Sequence, residues 1–442
     1  MLYSKQFSFT GFSIRREEFT IRRICLNAWS SLLFGLLLST PTLALESEDF
    51  RFSGFASLGV GKVNDPDLRF GDYSDQWSVD TDTVLGLQGQ VRLADRLSVT
   101  GQLLSRGFNY NGYSDYEPQI SWLFLSYQLA PDLRVRAGRL RTPHYLYSDT
   151  LEVGYSYVWV RPPIDVYTPV FDPLSNFNGA DITLSHDVRS GGWLNAETEM
   201  QFYGGTLDES FNDIHITGEP LFGANLSLRQ GILKLRYALM ALRADIYTDS
   251  FTPLVNGFQY LSTLDSRFDA LASDWTLDNG WYYYHGLGLQ SFLDQAVITA
   301  EWYHVDGPDE GFSTTSEGWY LSLQYTFGRL TPYIVFGAYK NSVKQHILDD
   351  LEDSYTFLPA GQIPAVDALR EGARFAAEGY IIKERTVTLG FRLDLQTNLA
   401  LKGEWQQFRF SDDSTGNFFP EGDDPSPVDS TSLVSFTLDL VF

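Results

Sequence analysis

The sequence predicts an all-β fold: a closed transmembrane barrel of 16 antiparallel strands. Hydrophobic and polar residues alternate with period two in repeated segments of about 9–13 residues, the length of a tilted membrane strand. The connections between these segments alternate between tight turns and long acidic loops. The single cysteine, Cys25, lies near the N-terminus, so an exported chain would depend on a fully hydrogen-bonded sheet rather than on disulfides.

The first segment, residues 1–44, is predicted to be a cleaved export signal. Basic residues precede an apolar core centred on 32–38, and small residues ending at Ala44 supply the spacing that a signal peptidase needs. An uncleaved N-terminal anchor is the alternative. Cleavage would remove Cys25 and leave residues 45–442 as a single barrel domain.

The alternation predicts strands along the whole of the remaining chain. In 385–396 (RTVTLGFRLDLQ), hydrophobic residues at every second position oppose polar ones, and 83–93 and 318–327 have the same pattern. One such segment is weak evidence, because strands of soluble sandwiches alternate too, and only the repetition favours a barrel. The predicted strands lie near 51–63, 79–93, 97–107, 118–129, 133–140, 177–188, 193–204, 221–229, 232–246, 280–292, 296–305, 315–327, 331–341, 385–396, 399–410 and 431–442.

The connections predict how the barrel is oriented. Tight turns are expected at 94–96, 130–132, 189–192, 230–231, 294–295, 328–329 and 397–398. Long acidic loops such as 64–78, 247–279, 342–384 and 411–430 lie between them. Barrels of the Gram-negative outer membrane place short turns in the periplasm and long loops outside, so both termini should be periplasmic. The terminal aromatic Phe442 on an alternating last strand resembles the tag read by the barrel assembly machinery.

Two motifs carry a resemblance to a known family: AGRLRTP at 137–143 and GYSYVWVRPPIDVY at 154–167, followed by the C-terminal Phe442. With these motifs the chain resembles the sixteen-stranded trimeric porins of Gram-negative outer membranes, in the branch related to the phosphate-selective and dicarboxylate porins. The resemblance implies a homotrimer in contact with outer-membrane lipid and lipopolysaccharide. It also implies passive diffusion of small hydrophilic solutes without a cofactor, and a third external loop, here 141–176, that folds into the lumen.

Positive charge is concentrated in 133–143 (LRVRAGRLRTP), although the whole chain has a net charge of −24. Alternation directs Arg134 and Arg136 into the lumen, and guanidinium groups around a narrow aqueous passage attract anions. Two acidic residues in the third loop would supply an opposing wall and a transverse field. The predicted constriction and selectivity residues are Arg134, Arg136, Arg139, Arg141, Arg161, Asp165, Asp172, Lys234 and Arg236.

The same arginines also allow a structural interpretation, in which they pair with acids merely to fill space. Inward candidates for such pairing are Glu197, Glu199, Glu301, Glu404 and Asp394. Anion preference is therefore left open, and so is the solute. A shift of one residue in a strand would invert every lumen assignment on it.

Other classes of function have weaker support in the sequence. A barrel enzyme would need a converging Ser, His and acid, for which His144, Ser148 and Asp149 are the nearest cluster. A structural or adhesive barrel would need a lumen filled by side chains. Histidines at zinc-site spacing and EF-hand loops are absent from the sequence, although acidic loops can hold Ca²⁺. The strong negative charge argues against a nucleic-acid partner.

Two local features complete the sequence-based expectations. Tyr282, Tyr283 and Tyr284 are expected in the aromatic girdle at the membrane interface. In the fifth loop, hydrophobic residues between 261 and 271 recur at helical spacing, which favours a short helix.

Overall fold

A computed structural model describes residues 47, 49–107, 116–167, 174–189, 195–211, 214–276, 280–352, 363–411, 414–420 and 428–442. The predicted signal at 1–44 lies outside these residues. The barrel strands are β1 Phe50–Val63, β2 Val84–Ala94, β3 Leu97–Arg106, β4 Gln119–Ala130, β5 Leu133–Arg141, β6 Asn176–Arg189, β7 Asn195–Phe211, β8 Ile214–Gln230, β9 Leu233–Thr248, β10 Gly280–Leu293, β11 Ala296–Asp306, β12 Thr314–Tyr325, β13 Leu330–Val343, β14 Ile382–Gln396, β15 Leu399–Phe410 and β16 Ser430–Val441.

Each strand pairs antiparallel with the next in the chain, and β1 pairs with β16 to close the barrel. The all-β prediction of a closed antiparallel barrel with 16 strands is therefore confirmed. At the closure, the amide of Gly54 donates to the carbonyl oxygen of Phe442 at 2.8 Å, and the amide of Phe442 donates back at 2.9 Å. The terminal residue is thus built into the seam between the first and last strands.

The two faces of the barrel wall differ in polarity, as the alternation predicts. On β4, every second side chain is a large exposed hydrophobic: Leu123, Leu125, Tyr127 and Leu129. The opposite face of the neighbouring strands is polar and buried, as at Gln102, Thr183, Gln201 and Asn225. Hydrophobic residues therefore face outward and polar residues face the barrel interior.

Three strand boundaries differ clearly from the prediction. β2 begins at Val84 rather than near 79, because the residues before it turn so that the amide of Thr83 donates to the carbonyl of Asp80. β7 and β8 extend to Phe211 and back to Ile214, forming one long hairpin of 17-residue strands. The sequence does not predict the outer part of this hairpin, because that part is polar and contains Pro220. The proline lies beside an interruption in the strand register, and both features favour a loop.

Helices pack in the loops that follow β9 and β13. They are α1 Thr252–Leu264, α2 Asp269–Asp274, α3 Gln345–Glu352 and α4 Ile363–Glu378. Phe258, Phe268 and Leu271 of the first loop pack with Ile347 and Leu351 of the second in one hydrophobic cluster. The fifth loop is helical, as expected, but the span 261–271 is divided between the end of α1 and the start of α2 rather than forming one helix. Of the helices in the described part of the chain, none is long and apolar enough to cross a membrane.

The seam gives a first prediction. A Cβ atom on Gly54 would lie 2.4 Å from the ring of Phe442, so Gly54→Leu must displace the terminal ring. We expect this substitution to lower the free energy of unfolding by roughly 1–3 kcal/mol, as overpacking does. The midpoint of urea unfolding measures it. Gly89→Leu is the matched control, because a Cβ there meets nothing within 4 Å. Equal midpoints for the two variants would contradict the role of the seam.

Candidate pore constriction

The third external loop, between β5 and β6, lies against side chains that face the barrel interior. Its backbone is held by two buried carboxylates on distant strands. Glu301 of β11 accepts the amide of Leu146 at 2.8 Å, and Glu404 of β15 accepts the amide of Val160 at 3.0 Å. Each carboxylate also accepts a tyrosine hydroxyl, from Tyr320 and Tyr333 respectively. The carboxylates thereby fix the course of the loop across the interior.

A buried lysine holds the same loop by its carbonyl groups. The Nζ of Lys402 pairs with Asp439 of β16 at 2.9 Å, and its side chain is fully buried. It also donates to the carbonyl oxygens of Gly154 and Trp159, each at 2.6 Å. An ammonium group without solvent needs all of its donors satisfied, so the loop backbone completes the site of this ion pair.

Aromatic packing and small residues bring the loop close to the wall. The indole Nε1 of Trp159 donates to Ser322 at 3.0 Å, and its ring meets Tyr320 edge-on with centroids 5.6 Å apart. Glycines on β12 and β13 leave room for the loop: a Cβ on Gly318 would lie 1.9 Å from the carbonyl oxygen of Asp165. Only glycine permits so close an approach of two backbones.

Asp165 is packed against this wall and does not line an aqueous passage. It is 2% exposed and accepts the hydroxyl of Thr386 at 2.7 Å. Asp165 lies in the loop, outside the membrane-spanning strands, and burial raises the pKa of its carboxyl to about 7. The expectation that it forms an opposing pore wall is not what the structure shows. Asp172 lies outside the described residues.

Four of the predicted arginines are bound to carboxylates. Arg136 binds both oxygens of Asp181, with Nη2–Oδ2 at 2.6 Å. Arg139 pairs with Glu209 at 2.6 Å, and Arg141 with Glu152 at 3.1 Å. Arg161 of the loop binds both oxygens of Asp82, with Nε–Oδ1 at 2.9 Å. These pairs neutralise much of the positive charge that the sequence concentrates here.

The remaining predicted cations are placed differently. Arg236 of β9 is buried and donates to the carbonyl oxygen of Pro143 at 2.9 Å. Arg134 and Lys234 face the interior and are partly exposed, and neither forms an ion pair with any residue that the structure describes. The structure therefore brings most of the predicted residues to the third loop or to the wall beside it, but gives these two no ion-pair partner among the described residues.

A polar cavity of about 400 Å³ lies beside Arg134, at the end of the barrel with the short turns. Arg51, Arg92 and Arg96 line it together with Arg134, and Asp49 and Asp95 are the acids among its lining residues. Further round the wall, Glu197 and Glu199 are exposed at positions paired with Arg229 and Ser227 of β8. This part of the interior is lined by exposed charged side chains, with cations and anions on different strands.

The residues that could suggest catalysis are not arranged as a proton relay. The Nε2 of His144 lies 3.2 Å from the sulfur of Met240, whereas the Oγ of Ser148 accepts the amide of Tyr145. Burial lowers the pKa of His144 to about 3, so its ring is neutral at physiological pH. Within the described residues, no cluster of three His, Cys, Asp or Glu side chains could hold a metal ion.

Of the three tyrosines predicted to lie in the aromatic girdle, one has the expected position. Tyr283 is 47% exposed on the outer face, as an interfacial residue should be. Tyr284 points the other way, is buried, and donates to the carbonyl oxygen of His144 at 3.3 Å. Tyr282 shares the inward face with Tyr284, because side chains alternate along a strand.

No protein-family model and no curated protein matches this chain in sequence. Solved structures do match its fold. The anion-selective porin of Comamonas acidovorans has 13% identity and a TM-score of 0.51, over 89% of this chain and 99% of that one. The channel DcaP of Acinetobacter baumannii has 12% sequence identity and a TM-score of 0.50, over 91% of this chain and 100% of that one. A loop-deletion form of OmpT, an outer-membrane protein of Vibrio cholerae, has 8% sequence identity and a TM-score of 0.50, over 89% of this chain and 99% of that one. The chain has the barrel fold of these outer-membrane proteins.

Several residues that fix the site were missed by the sequence analysis. Lys402 and Asp439 lie on strands with clear alternation, which places both in the interior, but nothing local shows that they meet. Asp82 and Asp181 pair with arginines 79 and 45 residues away in the chain, and only the fold brings them together. Glu152 pairs with Arg141, 11 residues away, but the loop sequence does not show this contact. Glu301 and Glu404 were recognised as inward residues, but as partners for arginine rather than for the loop backbone.

Lys402 gives a second prediction. Lys402→Met leaves Asp439 buried without its partner, at a cost of about 3–5 kcal/mol, and removes two anchors of the loop. We expect a larger and noisier single-channel conductance in planar bilayers, because the loop is freed from the wall. Lys340→Met, at an exposed position on β13, is the matched control. An unchanged conductance in folded Lys402→Met protein would show that the loop does not depend on this anchor.

Asp165 gives a third prediction, on the pH dependence of stability. Its folded pKa exceeds the ordinary carboxyl value, so the folded state holds the proton more tightly and stability falls as pH rises from about 4 to 7. Asp165→Asn should flatten this slope and raise stability at pH 8 by roughly 2–4 kcal/mol. Urea unfolding at a series of pH values measures it. The exposed Asp75→Asn should keep the wild-type slope, and the same slope in all three proteins would refute the assignment.

Proposed function

We propose that the protein is an outer-membrane porin through which small hydrophilic solutes diffuse passively. The observation that carries the proposal is the division of the barrel interior. The third loop packs against one part of the wall, while the strands near β5 and β7 keep exposed, charged side chains facing inward. Water and ions need such a charged lining, and a purely structural barrel does not.

The preferred solutes in this proposal are small anions, either carboxylates or inorganic ions. Arg134 and Lys234 supply positive charge without an ion-pair partner among the described carboxylates, and the exposed Arg92 adds to it at the short-turn end. A field of this kind raises the local concentration of anions and lowers that of cations. The description of the Comamonas porin as anion-selective supports a preference for anions over cations.

The assembly and location follow from the same proposal. The mature protein would be a homotrimer in the outer membrane of a Gram-negative bacterium, in contact with lipid and lipopolysaccharide. An export signal at 1–44 would deliver it, and the barrel assembly machinery would read Phe442. The exposed hydrophobic side chains of the outer face support a membrane environment. The channel would need no cofactor and catalyse no reaction.

A structural or adhesive barrel is the second candidate, and one observation favours it. Around the loop, large side chains such as Trp159, Phe177 and Tyr303 are almost fully buried, so this part of the interior is packed like a protein core. A barrel packed in this way throughout would not conduct. Conductance therefore separates the two candidates directly.

The fourth prediction concerns ion selectivity. Reversal potential is measured across a planar bilayer in a KCl gradient, with the refolded protein. We expect a preference for chloride, and Arg134→Gln/Lys234→Gln should lower the chloride-to-potassium permeability ratio by roughly twofold or more.

Two controls make the selectivity test specific. Arg136→Gln/Asp181→Asn also changes two charged residues but removes a neutral pair, so the permeability ratio should stay at the wild-type value. Arg243→Gln changes an exposed arginine on β9 outside the predicted constriction and should have no effect. A preference for potassium in the wild-type protein would overturn the assignment of Arg134 and Lys234, and absence of conductance would favour the structural barrel.

A further inference from the structure

A second cavity, of about 320 Å³, lies in the part of the barrel where β8 to β14 approach the helices of the fifth and seventh loops. Its sides are apolar residues of the strands, including Ile216, Leu242, Val305 and Ile382. The ring of Phe251, just before α1, lines it from the fifth loop, and Tyr380, just after α4, lines it from the seventh. The third loop contributes His144. The barrel, the loops and the helices thus enclose it jointly.

The apolar lining departs from the pattern of a water-filled channel. Lumen-facing residues of such barrels are polar, yet many of the inward positions here are Ile, Leu, Val or Met. In the described part of the chain, the cavity has no Asp, Glu, Lys or Arg among its lining residues. A charged solute entering it would lose its hydration without gaining a partner, so this cavity does not suit the anions proposed for the charged half.

Several polar groups of the lining form hydrogen bonds within the protein. Ser316 donates to Asn341, and Asn341 Nδ2 donates to the carbonyl oxygen of Tyr380 at 2.6 Å. Tyr284 donates to the carbonyl oxygen of His144, whose own ring lies against Met240. A lining that is mostly apolar offers water few hydrogen-bond partners, and apolar cavities of ~150 Å³ stay dry and bind benzene.

The rings at one end indicate what kind of apolar molecule fits. Phe251 and Phe312 meet edge to face, with centroids 4.9 Å apart at 87°. Tyr380 meets Phe312 at 5.3 Å and 71°. Such a cluster presents ring edges and faces to the cavity, and a further aromatic ring gains from joining it.

We propose that this cavity is a binding site for an uncharged aromatic molecule of one or two fused rings. The site is separate from the charged passage, so the protein would bind an apolar compound while hydrophilic solutes diffuse through the other half. Binding would depend on the packing of the loops over the cavity, and a filled cavity would hold the fifth, seventh and third loops together.

The test uses the full-length protein in detergent with naphthalene as the probe, followed by calorimetric titration. We expect saturable one-to-one binding. Val305→Phe, which fills the cavity, should weaken it at least tenfold, and Ala244→Leu, also in the lining, provides a second filling variant. Val91→Phe makes the same change at an exposed position on the outer face of β2 and should bind as the wild type does.

Equal uptake of naphthalene by the wild type and all three variants would overturn the proposal, because that is the behaviour of a probe dissolved in the micelle. Benzoate, which has a similar ring and a charge, should not bind, and binding of benzoate as tight as that of naphthalene would also overturn it. Conductance measured on the same preparations tests the channel separately, so either proposal can fail while the other stands.

Discussion

The structure depends on one constraint: ionisable side chains placed inside a barrel must be satisfied by something other than water. Glu301, Glu404 and Lys402 are almost fully buried, and each is satisfied by the backbone of the third loop. An unpaired charge at any of them would cost several kcal/mol, which is a large part of the stability of a protein. The loop therefore lies against the wall because its backbone completes the hydrogen bonding of charged groups buried in the wall.

This constraint divides the interior into regions of different character. Where the loop packs, carboxylates, tyrosines and glycines form a close-packed core, and beyond it mostly apolar side chains line a second cavity. Where the loop is absent, charged side chains stay exposed and arginines outnumber the acids around the polar cavity. Ion pairs such as Arg136–Asp181 lie between the two regions, so they hold the structure together without adding net charge to the passage.

The alternation of the sequence predicts the strands because every second side chain faces lipid, a rule that is local and repeats along the chain. The prediction is wrong where the local sequence does not follow this alternation. The outer part of the β7–β8 hairpin is not predicted, because Pro220 and polar residues favour a loop. The aromatic pattern predicts an outer position for Tyr284, although its side chain faces inward. Arg134, Arg136, Lys234 and Arg236 point inward as predicted. The partners of Arg136, Arg161 and Arg236 could not be predicted, because Asp181, Asp82 and the carbonyl oxygen of Pro143 reach them only through the closed fold.

The most direct test of the anchored loop is a disulfide between Leu146→Cys in the loop and Gly288→Cys on β10. A Cβ atom on Gly288 would lie 2.6 Å from the Cγ of Leu146, so the two cysteines would be within bonding distance. If the loop lies where the structure places it, the bond forms spontaneously in folded protein and the single-channel conductance stays at the wild-type value. Free thiols in folded protein, or a conductance that changes when the bond forms, would contradict the account. Leu146→Cys paired with Gly89→Cys on the outer face should remain unlinked.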